Sequence, residues 1–270
     1  MTHTLIFLIT FIVTGSLGGF CAGFFGLGGG ILYIPIFISL FAAFNPTGQS
    51  NMHAAIGTSL ALIIPGALIA AMKQFKLGNI DRKIARLWTA MIIAGAIVGS
   101  ILIRYISSYV LQIVFMVFLL LAILITLHKT NSSQQRENLN KKILSSFAIF
   151  TGFCAVLMGV GGGIITVPLL KLLNYPYKRA VALSAVGGTA VGIFGSLIMI
   201  YTGWHATDLP AFSIGFVNWL AFICIVPLSL IFAPLGVRAS NHINEKLASY
   251  LYSLVLFIIA VYMACRVFYH

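Results

Sequence analysis

The chain has 270 residues, of which 60% are hydrophobic and only 7% charged, with a mean hydropathy of +1.07; soluble domains carry about 25% charged residues, so a water-soluble domain is excluded. Sixteen Lys and Arg stand against four Asp and Glu, a net charge of +12. On a soluble protein that balance would suggest nucleic acid, but basic residues of a polytopic protein gather in cytoplasmic loops, which accounts for it without a nucleic-acid partner.

The first charge along the chain is Lys73, so 72 residues pass without one, more than the ~20 apolar residues that one helical crossing needs. No basic segment precedes the first apolar run, so it is expected to remain as a span rather than to be removed as a leader. Later charge-free stretches cover 87–103, 105–128, 143–170, 180–207, 209–237 and 247–265. Their apolar runs are continuous, whereas barrel strands alternate apolar and polar residues, so the spans are expected to be helices of an all-α polytopic membrane protein. The polar segment 129–142 leaves 128 residues on either side. It predicts an N-terminal transmembrane repeat over 1–128, a cytoplasmic linker over 129–142 and a C-terminal transmembrane repeat over 143–270. Cys21, Cys154, Cys224 and Cys265 lie in apolar stretches, without CxxC spacing or nearby His and carboxylate ligands, so neither a disulfide frame nor a metal site is expected.

Duplication is visible in the residues themselves. Sliding the chain by 133 positions sets GFCAGFFGLGGGILYIP (Gly19 to Pro35) on GFCAVLMGVGGGIITVP (Gly152 to Pro168), with ten identities in seventeen positions. Each motif is followed by a polar connection and a helix rich in small residues, AAIGTS at 54–59 and AVALSA at 180–185. If 5–44 and 143–173 each cross once, the halves share one orientation and the basic residues divide ten to six between the two faces. If each glycine cluster is instead the tip of a helical hairpin that enters and leaves on one face, the halves are inverted. The basic residues then divide fourteen to two, with only Arg104 and Arg266 outside. The positive-inside rule therefore predicts inverted repeats, each a glycine-rich, broken, re-entrant hairpin followed by three transmembrane helices.

At such tips the second arm of each hairpin would start near mid-membrane, where its unsatisfied N–H groups and positive dipole end make an anion site without any charged side chain. The expected substrate-binding residues are Gly28, Gly29, Gly30, Gly161, Gly162 and Gly163, with hydroxyls from Thr58, Ser59 and Ser184. Gly26, Pro35, Gly159 and Pro168 are expected to make the structural breaks. The four-residue pairs Gly15/Gly19, Gly95/Gly99 and Gly188/Gly192 are expected to serve helix packing. Neither glycine cluster satisfies G-x-G-x-x-G, so no dinucleotide site is expected. All four acids (Asp81, Glu137, Asp208 and Glu245) are expected in loops, which disfavours a cationic substrate. If protons couple transport, His53, His205 or the substrate's own weak-acid proton are the candidates.

The twice-occurring G-x-G-G-G-x-x-x-x-P, at Gly26 to Pro35 and Gly159 to Pro168, each followed by a small-residue Thr/Ser helix, resembles the sulfite exporter TauE/SafE family of bacterial integral membrane proteins. The likeness covers essentially the whole chain. It implies a secondary transporter of the bacterial cytoplasmic (inner) membrane, working without a cofactor. Sulfite, sulfoacetate and related organosulfur anions are its expected substrates, a proton a possible co-substrate and the lipid bilayer its surroundings. Ser184 and Ala185 depart from the Thr58–Ser59 pair, so the two halves differ in the polar groups they offer. The rival readings are a passive anion channel and a carrier of a non-sulfur anion. An integral membrane enzyme would need converging nucleophile and base or clustered metal ligands, and no such set is visible in the sequence.

Overall fold

The computed structural model describes residues 2–25, 29–45, 48–127, 140–240, 243 and 245–269. Gly26, Gly28 and most of the 129–142 linker lie outside them. The described residues form α1 (Thr2–Phe25), α2 (Gly30–Phe44), α3 (Asn51–Lys76), α4 (Arg82–Ile103), α5 (Ser108–Leu127), α6 (Lys141–Leu157), α7 (Gly163–Leu172), α8 (Tyr177–Thr202), α9 (Trp219–Ser240) and α10 (Glu245–Tyr269), with a short hairpin of β1 (Ser213–Ile214) and β2 (Val217–Asn218) before α9.

Among the described residues, five helices (α3, α4, α8, α9 and α10) are long and apolar enough to cross a bilayer, and large apolar side chains such as Ile69, Leu124, Ile223 and Phe257 stand exposed around the bundle. In water such a belt would be a liability; in a bilayer it is the lipid-facing surface. The all-α polytopic membrane fold expected from composition is what the chain adopts. Helix starts at the ends of the bundle carry polar caps. Asp81 accepts the N–H groups of Lys83 and Ile84 at 2.8 and 3.3 Å, Asn140 that of Lys142 at 3.0 Å, and Asn218 that of Ala221 at 2.9 Å, each such cap contributing about 1 kcal/mol. All four cysteines are free thiols.

The centre is made by α3 and α8, which run antiparallel. Leu60 and Ile64 of α3 meet Gly192 of α8, and Ala67 meets Gly188. On one flank α1 lies along α9 in the same direction, Gly15 against Leu228, Gly19 against Ser229 and Gly23 against Ala233. On the other, α4 lies along α6 likewise, Gly95 against Ile149 and Gly99 against Phe153. Side chains at these glycines would drive into the facing backbone, so the four-residue spacing serves close helix packing, as expected. α5 and α10 pack against each other outside this frame.

The chain turns back at both glycine breaks. α2 begins beside Ser59 and Ile63, midway along α3, and its end leads through 45–50 to the start of α3, so it runs antiparallel to the first half of that helix. Gly161 lies beside Ile63 and Gly188, midway along α8, and α7 runs back toward the start of α8. Gly29 sits against Gly18 of α1, and Gly162 against Thr151 and Ala155 of α6. Both breaks are therefore reversals between helical arms.

Lys73, Lys76, Arg82, Lys83 and Arg86 gather where α3 passes into α4. The other end is tied together by His53, whose Nε2 lies 3.0 Å from the carbonyl oxygen of Ile103. The β-hairpin closes that same end. Its turn uses Gly215 at φ +55 followed by Phe216, whose ring lies tilted against that of His53, 5.1 Å between centroids.

Candidate anion site at the two glycine breaks

The first break starts α2 from Gly29, whose carbonyl accepts the N–H groups of Leu32 and Tyr33 at 3.0 and 3.3 Å. No side chain caps this helix. Gly30 and Ile31, its first two residues, are buried, and helical geometry gives their N–H groups no carbonyl within the helix. The ring of Tyr33 lies over Gly18 and beside Gly29. Its hydroxyl points toward Ser229 of α9.

The second break is built differently. α6 ends in a Schellman turn, with Gly159 N–H bonded to Val156 O at 2.8 Å and Val160 N–H to Ala155 O at 2.9 Å. The turn requires a left-handed residue at Gly159, which has φ +59. Three residues on, Gly162 is again left-handed at φ +73, and its carbonyl accepts the N–H groups of Ile165 and Thr166 at 3.1 and 2.7 Å. Gly163 and Ile164 therefore stand where Gly30 and Ile31 stand in the first break, buried at the start of a helix with free N–H groups. Thr151 and Thr166 flank Gly162, each 0% exposed, with hydroxyls that have no hydrogen-bond partner among the described residues.

The two breaks touch. The hydroxyl of Ser59 on α3 donates to the carbonyl of Gly159 at 2.7 Å and lies 3.4 Å from that of Gly30. Ile63, one turn further along α3, packs against both Gly30 and Gly161. Gly29, Gly30, Ser59, Gly159, Gly161, Gly162 and Gly163 are thus collected at the middle of the bundle. Thr58 is turned away from them, donating to Ala54 O at 2.6 Å and accepting the backbone N–H of Asn218 at 2.9 Å. Ser184 is buried on α8 one turn before Gly188. Pro35 lies inside α2, its carbonyl accepting the Ser39 hydroxyl at 2.5 Å, and Ser39 also meets Tyr262 and receives an N–H of Arg266 at 3.2 Å. Pro168 lies inside α7.

Charge enters only from the ends. A pocket of about 710 Å³ opens between α3, α4 and α8 at the basic end, with Lys76, Arg82 and Arg86 in its lining and Ile93 and Val186 deeper in the bundle. Ala71, also in the lining, is one turn from Ala67, which meets Gly188, and Gly188 touches Gly161. Asp81 is occupied as a helix cap, and Asp208 accepts the N–H of Gln49 at 3.2 Å. An arrangement of free backbone donors, hydroxyls and a basic approach suits a small anion.

Sequence reasoning passed over Thr151 and Thr166. A hydroxyl in an apolar run ordinarily bonds its own helix four residues back, and only the fold shows that these two do not. The repeat held one usable signal: at the offset of 133, Thr151 and Thr166 replace Gly18 and Tyr33.

Residues 11–263 match the family described as sulfite exporter TauE/SafE. The chain is 30% identical to a probable membrane transporter protein of Methanocaldococcus jannaschii, over 96% of each chain. It is 26% identical to one of Haemophilus influenzae, covering 95% of this chain and 98% of that one, and 24% identical to one of Bacillus subtilis, covering 97% of each. No solved structure matches it. With the duplicated glycine motif and nearly all of its length inside that match, the chain belongs to the sulfite exporter TauE/SafE family.

Proposed function

We propose that this protein is a secondary transporter of the bacterial cytoplasmic membrane that exports small anions, sulfite, sulfoacetate or related organosulfur anions, by alternating access around its two glycine breaks. The observation that carries the reading is the meeting, midway along α3 and α8, of two buried helix starts whose first N–H groups have no intrahelical acceptor. In a bilayer such backbone is tolerated only where it is buried in protein or lines a polar cavity. Broken helices that aim their N-termini at an anionic substrate are a recurrent transporter solution. The relatives' names say membrane transporter, and the family's description supplies the sulfur.

The proposed architecture is a pair of inverted repeats, 1–128 and 143–270, joined by a cytoplasmic linker over 129–142, each a re-entrant hairpin followed by three spans. Its support is directional. Exchanging α1–α5 for α6–α10 turns the pair α1–α9 into α6–α4 and leaves α3–α8 and α5–α10 unchanged, and the members of the α3–α8 pair run opposite ways. Basic residues at the α3–α4 connection mark that end as cytoplasmic. Contact between the two tips, with Ile63 wedged between them, favours a carrier over a passive channel. Proton coupling, if present, falls to the substrate's own weak-acid proton or to His205, because both nitrogens of the buried His53 already face Ile103 and Ser108.

The test is sulfite flux in liposomes holding the purified protein, with and without a pH gradient, followed by competition with sulfoacetate, sulfate and thiosulfate. Saturable flux with counterflow supports the carrier. Linear flux without counterflow supports the channel, and no flux of any of these anions from folded protein removes the sulfur assignment.

A further inference from the structure

The two breaks align residue for residue, yet their polar contents differ. Gly29 and Gly162 cap the two arms in the same way, each carbonyl taking the N–H groups three and four residues on. Around Gly29 the available space is occupied. A side-chain carbon there would stand 2.7 Å from the carbonyl oxygen of Gly18 and 2.8 Å from the Tyr33 ring. Tyr33 itself is 2% exposed, and its ring fills the place beside Gly18 and Gly29. Around Gly162 the corresponding place is not overfilled. A carbon there would meet Ala155, the Thr151 methyl and the Thr166 hydroxyl at ordinary contact distance, 3.7 Å.

Two buried hydroxyls without partners among the described residues, Thr151 on α6 and Thr166 in the first turn of α7, on residues that both border Gly162, are a costly arrangement. Leaving a buried donor unmade is destabilising, and native structures do so rarely and for a reason. The usual escape for Thr166, the carbonyl four residues back, is that of Gly162, which already accepts two N–H groups. A ligand that accepts hydrogen bonds would satisfy both hydroxyls and the N–H groups of Gly163 and Ile164 at once. The approach from the basic pocket leads toward this side, since Ala71 in its lining is one turn from Ala67, which meets Gly188, and Gly188 abuts Gly161.

We infer that the transported anion is bound at the second break alone, by the hydroxyls of Thr151 and Thr166 together with the first N–H groups of α7, and that Tyr33 fills the matching place at the first. This deepens the anion-carrier reading and rests on it. The chemistry fits a compact oxyanion head, such as sulfite or the sulfonate end of sulfoacetate, whose several oxygens accept from different directions. One anion binds per chain.

The test is equilibrium binding of sulfite and of sulfoacetate to purified protein, with liposome flux measured alongside. Thr151→Val and Thr166→Val keep the side-chain shape and remove only the hydroxyl. Each should weaken binding about ten-fold or more, the loss expected for one hydrogen bond to a charged group. Thr166→Ser should restore most of it, Tyr33→Phe should bind as the wild type does, and the wild type should bind one anion per chain. Wild-type affinity in both valine variants, or two anions per chain, overturns the assignment to the second break while leaving the carrier intact. If either valine variant fails to fold, Gly162→Ala is the second probe, because its methyl enters the same space, and undiminished binding there overturns the inference equally. Absence of both binding and flux in the folded wild type for either anion overturns this inference and the carrier reading together.

Discussion

The Ser59 hydroxyl donates to the carbonyl of Gly159 at 2.7 Å, a bond between residues 100 positions apart that ties α3 to the end of α6. It is the one side-chain hydrogen bond described between the first half's central helix and the second break. Replacing Ser59 with Ala leaves the Gly159 carbonyl buried without this donor, at a cost of about 1–3 kcal/mol. Ser59→Ala should therefore lower the unfolding midpoint of the protein in detergent, and an unchanged midpoint would show that the bond contributes nothing.

Gly159 and Gly162 share a left-handed backbone but not a neighbourhood, so the same substitution separates folding from function. At Gly159 a side-chain carbon would stand 2.5 Å from Ile34 Cδ1 and 3.0 Å from Ile56 Cα. At Gly162 a methyl would make ordinary contacts at 3.7 Å, and the cost is the strain of a left-handed residue, about 1–2 kcal/mol. Gly159→Ala should give little folded protein, whereas Gly162→Ala should be recovered folded and inactive in sulfite flux. Size-exclusion profiles and liposome assays on both decide it. Gly29→Val belongs with Gly159, since the added carbons meet Gly18 and Tyr33, and loss of flux there would report on folding.

Membrane orientation is open to direct labelling. A cysteine at Lys178, at the start of α8, should resist an impermeant thiol reagent added to intact cells. One at Tyr105, which is 73% exposed just beyond α4, should react with it. A labelled position 178 would reverse the proposed orientation.

Thr58 is the anchor of the β-hairpin. It accepts the N–H of Asn218, 160 residues away, while donating to its own helix. Thr58→Val removes the acceptor and should cost about 1–3 kcal/mol. Hydrogen exchange should quicken at the Asn218 amide while exchange along α7 stays as it was. Equal quickening at both places would refute a local role.

Much of this was legible before any fold was known. The repeat, the helix breaks, the packing glycines and the loop position of Asp81 and Asp208 all follow from patterns that act over a few residues or within one helix. What escaped detection depends on distant partners. Thr58 and Ser59 read alike as free hydroxyls, and only the approach of Asn218 to one and Gly159 to the other separates them. Thr151 and Thr166 read as ordinary helix residues because nothing local says that their hydroxyls stay unbonded. The opposite φ values of Gly29, at −74, and Gly162, at +73, were likewise hidden by identical GGG triplets.

The glycine-lined pairs α1–α9 and α4–α6 bring backbones against each other, and each pair draws one helix from either side of the linker. Backbone-to-backbone seams of this kind hardly slide, since any shift drives a carbonyl into a neighbouring chain. The two halves are therefore clasped like interlaced hands. Gly192 against the Leu60 carbonyl carries the same restraint through the centre, between α3 and α8, so the closest contacts cross the boundary marked by the polar linker rather than follow it. Rigid bodies and sequence repeats are then different divisions of the same chain.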